Sequence, residues 1–264
     1  LSVTKSPIIR SGGVEFEIKY IVLPEILNSN YNGQNTEIIL PLNRDDLNAE
    51  QISSNIYQRI ARLGFRNILF LNNIQKIEWK YGERYGCYTK KSQKKYKGHL
   101  NVTRRTIIYT TNAFQDDINA DPQVSEENYL VFSGKKKIND KTLQTDIAYS
   151  IVNNSGNDSI SRVENSKVCV FFETEHETHL NFLIQAMFST TSTRERIPLN
   201  PENAENFELL DHTGDIVADS LETLRDMKLL DIDFLNIMPL EDDEDNPIKH
   251  IIYEKVKDKL SSDT

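Results

Sequence analysis

The sequence contains no run of about 18 apolar residues, the minimum for a membrane-crossing helix, so nothing in it reads as a membrane span. It has only two cysteines, Cys87 and Cys169. Two cannot build a disulfide scaffold, and a reducing, cytoplasmic setting is the expectation. Cys169 falls inside an apolar run and reads as a small buried hydrophobe. Nothing pairs it with a specific base, as a thiol nucleophile would require. A Walker-type glycine loop is missing, and Gly12-Gly13 has no phosphate-binding context. His176-Glu177-Thr178-His179 fails the helical zinc pattern, because its histidines are three positions apart rather than four. No cysteine cluster supports a metal either. Positive charge is in deficit, with 31 Lys and Arg against 40 Asp and Glu and a net charge of -9. That balance argues against a general nucleic-acid binder. Leu1-Ser2-Val3-Thr4-Lys5 lacks an initiator Met and a signal-peptide pattern, so the expectation is a cut made within a longer protein.

What is present is a chain of 264 residues, enough for one large domain or two modest ones with a real core. Its β-branched and aromatic residues come in periodic blocks. Val14 to Tyr20 alternates apolar and charged residues, the mark of a half-buried strand, and Thr36 to Leu42 reads as another strand. Ala49 to Leu63 carries Ile52, Ile56, Ile60 and Leu63 at helical spacing, with Gly64 as a C-cap. Ile74 to Tyr81 reads as a strand with Ile77 and Trp79 on one face. The middle of the chain reads as an antiparallel sheet, with strands over Arg84 to Thr89, His99 to Thr111, Tyr129 to Lys137 and Asp146 to Val152. The basic run Lys90 to Lys97 is expected in a hairpin loop, where it is either a nucleic-acid contact or a solvated tip that blunts an edge. Asn154 to Asp158 reads as a polar turn. Leu209, Leu210, Ile216, Val217, Leu221 and Leu224 form a helical stripe interrupted by Gly214. An acidic linker, Leu240 to Asp245, precedes a last amphipathic helix over Ile248 to Leu260. The many paired carboxylates lie in acidic runs and read as solvated surface.

The chain is organised around Val168 to Pro198. Two apolar runs, Val168 to Phe172 and Phe182 to Phe188, read as buried strands with a polar hairpin between them. Directly after the second comes Ser189-Thr190-Thr191-Ser192-Thr193-Arg194-Glu195-Arg196, crowded with hydroxyls and holding two arginines. Such a loop either connects a strand to a helix or presents a guanidinium to a phosphate or carboxylate.

Several segments together resemble the sacsin-like branch of the GHKL (Bergerat-fold) ATPases, in order and spacing from about Leu1 to about Leu240. Val3 to Gly13 looks like the segment after the second glycine-rich lid motif. Tyr20-Ile21-Val22-Leu23-Pro24-Glu25 resembles the branch's Y-I-V-P-E segment. Thr36-Glu37-Ile38-Ile39-Leu40-Pro41-Leu42 is similar to the last strand of the ATP-binding domain. Asn67 to Ile77 looks like the start of the second domain. Phe171-Phe172-Glu173-Thr174 and Thr190-Thr191-Ser192-Thr193-Arg194-Glu195-Arg196-Ile197 are similar to the F-F-P-T and T-T-x-x-R-x-x-I motifs, with Glu173 in place of the usual proline.

The strand and helix patterns by themselves read as an α+β protein, and the resemblance implies the same class. Residues 1–45 would be the last strands of the ATP-binding sheet. Residues 46–240 would form a ribosomal S5-like transducer with a mixed or antiparallel sheet and packed helices, and residues 241–264 an acidic linker and helix. It implies ATP and Mg2+ as cofactors, held chiefly by upstream helices that carry the Asn for magnesium, the Glu base and the Asp for adenine. Thr36 would contribute to the adenine subsite. Arg194, with Arg196 as its competitor, would reach the γ-phosphate as the catalytic basic residue of the transducer loop. Expected partners are the upstream lobe, a second copy of the chain and a protein client. The expected activity is chaperone-like ATPase coupling in the full-length protein, with none in this chain by itself. The rival readings are a non-catalytic scaffold domain and a nucleic-acid-handling module of a defence or restriction system.

Overall fold

The computed structural model describes residues 8–11, 14–18, 24–27, 37–39, 48–64, 66–97, 100–117, 119–199, 203–240 and 246–262. The chain divides into two compact units, Leu1–Arg62 and Leu63–Thr264.

In the first unit, four described strands form an antiparallel sheet: β1 (Ile8–Ser11), β2 (Val14–Ile18), β3 (Pro24–Leu27) and β4 (Glu37–Ile39), in the order β3-β2-β1-β4. Pro24 opens β3, where a missing N–H costs no ladder bond. Helix α1 (Ala49–Ala61) begins with a reciprocal cap. Asn48 Oδ1 accepts the Gln51 N–H at 2.8 Å, and Gln51 Oε1 accepts the Asn48 N–H at 3.2 Å.

The second unit is a large mixed sheet with helices, so the chain is α+β. Its described strands are β5 (Lys76–Tyr81), β6 (Arg84–Lys97), β7 (Asn101–Thr111), β8 (Gln123–Ile138), β9 (Lys141–Asn154), β10 (Asn157–Ser161), β11 (Lys167–Val170), β12 (Phe172–Glu177) and β13 (Leu183–Ala186). The order is β12-β11-β13-β9-β8-β7-β6-β5, with β10 sharing one side of β9 with β13. Strands β5 to β9 run as an antiparallel meander. The one parallel pair among the described strands is β11 with β13.

Both faces of this sheet bury apolar side chains. One face packs against α3 (Ala204–Asp226), the short α4 (Ile232–Leu235) and α5 (Pro247–Ser262). The stripe expected along α3 is the contact surface: Leu209, Leu210, Ile216, Val217, Leu221 and Leu224 are all buried against residues such as Phe132, Ile147 and Ile184. Two glycines permit the close approach. A Cβ on Gly134 of β8 would sit 2.9 Å from Ile216 Cδ1, and one on Gly214 of α3 would sit 2.8 Å from Lys255 Cγ. The Lys255 ammonium ties α5 to α3 through Asp211 and Asp215, each at 2.7 Å.

The other face is covered by one turn of helix, α2 (Arg66–Leu69), whose Ile68 and Leu69 join Phe70 over Tyr88, Ile107, Val131 and Leu183. Ile77 and Trp79 face this same cluster, as their alternation predicts.

Four local expectations change. Helix α1 ends at Ala61 with Arg62 as its C-cap, short of the expected Leu63 and Gly64. Lys90 to Lys97 is not a hairpin loop but the second half of β6, paired with β7 from Lys90↔Ile107 to Lys97↔Asn101. The polar turn after β9 is shorter than expected, because Asn157 already pairs with Asn154 to begin β10. The first apolar run of the organising stretch breaks at Phe171, and β12 continues from Phe172 through Glu177. The two histidines therefore straddle a strand end rather than a loop.

Candidate functional site

The Arg194 loop is positioned by β11, β12 and β13. Strand β13 is buried along its whole length, and after the exposed Met187 the chain returns Phe188 to the core before the loop begins. Hydroxyls stitch the neighbouring hairpin. Thr174 Oγ1 donates to Val168 O at 2.8 Å, Ser166 Oγ donates to Phe182 O at 2.6 Å, and Thr178 Oγ1 lies 3.0 Å from Ser166 Oγ. At the hairpin turn Phe171 adopts a left-handed backbone, φ 65°, a conformation unfavourable for an aromatic residue. Its N–H donates to the buried Gln185 Oε1 at 2.6 Å, which holds the turn in place. Phe171, Phe172 and Met187 are all exposed at this end of the sheet.

The loop folds back on itself. Arg194 is also left-handed, φ 59°. Its N–H donates to Thr191 O at 2.9 Å, and the Thr191 N–H donates to Arg196 O at 3.0 Å. Strand β12 supplies two outer anchors: the Glu175 N–H donates to Arg194 O at 3.2 Å, and His176 Nδ1 accepts the Ile197 N–H at 2.9 Å. The Arg194 guanidinium donates through Nη2 to Val170 O at 2.9 Å. A guanidinium has five N–H donors, and this one is exposed, so most of its fork faces solvent. Arg196 is exposed as well, beside His176. The arrangement offers a fixed cationic fork that could receive an oxyanion without rearranging the backbone. Thr36, the other expected site residue, lies outside the described residues.

The bond at His176 makes a pH prediction. Burial, followed by the charges of Arg196 and His179, holds the His176 imidazole below its ordinary value of 6.5. Nδ1 can accept the Ile197 N–H only while it carries no proton. A depressed value means that the unfolded chain binds the proton more readily. Stability is therefore complete above pH 6.5 and falls as pH drops from there through the folded-state value. His212, lowered by burial and Lys136, adds a loss of the same sign. We expect wild type to lose more stability than His176→Gln between pH 7.5 and 5.5 in urea titrations. Parallel pH dependences for the two proteins would refute the role given to Nδ1.

Two polar clusters were not legible beforehand. Lys90 and Arg105 are both buried under α2. Lys90 Nζ donates to Ile68 O at 3.1 Å and to Leu71 O. Arg105 Nη1 donates to Leu69 O at 2.5 Å, and its Nη2 donates to Asn72 Oδ1 at 3.0 Å. Two cations thus satisfy the carbonyls that a one-turn helix leaves open. Burial, with Arg105 beside it, lowers Lys90 to about 8. The strand period could have flagged Lys90, because it shares a face with Tyr88. The second cluster places Arg66 Nη1 3.8 Å from Glu173 Oε1, with the Tyr129 hydroxyl donating to Glu127. Burial raises the Glu173 carboxyl while Arg66 opposes the shift.

A cleft of about 740 Å³ lies at the opposite edge of the sheet, lined by Glu78, Trp79, Lys80, Tyr85, Cys87 and Asn112 among others. It contains none of the expected site residues. Among the described residues no group of three or more His, Cys, Asp or Glu is placed to hold a metal ion, and no helix is long and apolar enough to cross a membrane. No family model, curated protein or solved structure matches the chain.

Proposed function

We propose that this chain is the transducer portion of a GHKL ATPase of the sacsin-like branch. In this reading the first unit contributes the last strands of a Bergerat-fold nucleotide domain, and the second is the S5-like transducer. ATP and Mg2+ are held chiefly by an upstream lobe. Arg194 reaches the γ-phosphate when the lobes close, and the resulting movement is passed to a protein client. The observation that carries the reading is the Arg194 loop: an exposed guanidinium on a hydrogen-bonded turn, delivered by a fully buried strand. Such a fork neutralises charge as it develops on a transferring phosphoryl group.

The test compares ATP turnover by the upstream lobe alone with turnover by the lobe joined to this chain. The joined protein is expected to turn over Mg-ATP at least about a thousandfold faster, the scale of an arginine supplied to a phosphoryl-transfer site. The chain by itself should show none. Equal turnover with and without the chain overturns the proposal, and so does turnover by the chain alone.

A non-catalytic interaction domain is the second reading. It draws on the exposed Phe171, Phe172 and Met187, which would suit docking to another protein surface. The nucleic-acid reading loses its leading residue, because Lys90 is buried under α2.

A further inference from the structure

We propose that Asn206 is a positioning residue that clamps the base of the Arg194 loop and ties the loop's shape to helix α3. The functional part of this inference rests on the ATPase reading; the clamp itself does not.

Asn206 lies in the first turn of α3 and is completely buried. Its carboxamide makes three hydrogen bonds, all to the loop's two ends. Oδ1 accepts the Ser189 N–H at 2.8 Å, and Nδ2 donates to Ser189 O at 3.0 Å and to Pro198 O at 2.8 Å. The reciprocal pair with Ser189 imitates a rung of a β-ladder. The third bond reaches Pro198, which has no N–H of its own to offer a partner. One side chain therefore joins the point where the chain leaves β13 to the point where it turns toward α3. Everything between these ends, including Arg194, is a closed loop.

The ordinary role for an asparagine near a helix start is to cap its own helix. Asn206 does not do this. The capping position is Asn203, and its side chain makes no capping bond. The Asn206 amide instead points to backbone that lies before the helix. A buried carboxamide with its hydrogen bonds filled also cannot drift, because each lost bond would strand a desolvated polar group. Displacement of α3 would then be felt at both ends of the loop at once. That couples the cationic fork to the element that packs on the sheet and, through Lys255, to α5.

Amide exchange on the chain itself tests the clamp without any ATPase assay. In wild type, the Ser189 amide should exchange slowly, with those of β13 and the centre of α3. A Ser189 amide as fast as that of Ser192 overturns the clamp. This measurement stands even if no Asn206 variant folds. In Asn206→Ala and the milder Asn206→Ser, amides of residues 190–196 should exchange about tenfold faster or more, beyond any change in β13. A uniform change across loop and core would mark a merely structural role and overturn the inference. In the protein joined to its upstream lobe, Asn206→Ser should lower kcat with little change in KM. Combined with Arg194→Ala, it should add almost nothing, because both changes remove one function. Additive losses overturn the link to Arg194. Absence of turnover in the unmodified joined protein would instead overturn the ATPase reading, while the exchange result would still decide the clamp.

Discussion

Arg194→Ala is expected to lower ATP turnover by about a thousandfold in the protein joined to its nucleotide lobe, a typical cost of removing an arginine from a phosphoryl-transfer site. KM should change little, because most contacts to the nucleotide would come from upstream residues. A kcat loss without a matching KM change is the signature of an interaction made only in the transition state. Arg194→Lys should recover little, since an ammonium cannot offer a planar fork. Arg196→Ala is the internal comparison. Arg196 is exposed and its backbone braces Thr191 from both sides, so its side chain can be removed while the turn persists. A larger kcat loss for Arg196→Ala would transfer the role to that residue. Normal turnover in both variants, with the fold intact by circular dichroism, would leave the loop as a plain connector.

The largest stability effect is expected from Phe182→Ala, a loss of about 3 to 5 kcal/mol in denaturant unfolding. Phe182 has no exposed surface. Its ring centroid lies 5.3 Å from that of Tyr149, which also meets Phe132 at 5.8 Å and Phe234 at 5.6 Å. Truncation would open a cavity under the start of β13 and take one packing partner from Tyr149, the ring on which Phe132 and Phe234 also rest. The Phe182 carbonyl also receives the Ser166 hydroxyl, so relaxation to fill the space would pull on the hairpin beside the Arg194 loop. Tyr149→Phe should cost only about 1 kcal/mol, the value of one hydrogen bond. Its hydroxyl meets Ser220, which keeps a bond of its own to Val217 O. A loss below about 1.5 kcal/mol for Phe182→Ala would contradict the packing described for this ring cluster.

Much of the second unit was readable because its segments carry a clear period. The stripe on α3 repeats at helical spacing, and all six of its apolar residues are buried. Ile77 and Trp79 alternate along β5 and share a face. The run from Phe182 to Phe188 is apolar at nearly every position, and β13 within it is buried along its length. In each case one side-chain periodicity decides which atoms leave water, and burial of those atoms supplies most of the stability.

Local pattern failed where a distant partner outweighed it. Lys90 to Lys97 is poor strand sequence, yet it extends β6 because β7 offers a complete ladder beside it. Residues 68–71 are simply apolar in sequence. They become the second half of α2 and a following turn because they must cover the second face of the sheet, and Lys90 and Arg105 accept burial to satisfy the carbonyls exposed there. Asn206 carried no signal, since its two partners, Pro198 and Ser189, lie 8 and 17 positions away.

The sequence by itself therefore determined the α+β class, the buried strand, the long amphipathic helix and the presence of two arginines in a hydroxyl-rich loop. Each of these follows from neighbours along the chain. Tertiary structure alone decided that β11 and β13 run parallel, that the loop closes on Asn206 and His176, and that Arg194 keeps its fork at the surface while resting on Val170 O. Those features depend on hydrogen bonds between residues far apart in sequence. Their partners become neighbours only once the sheet has assembled.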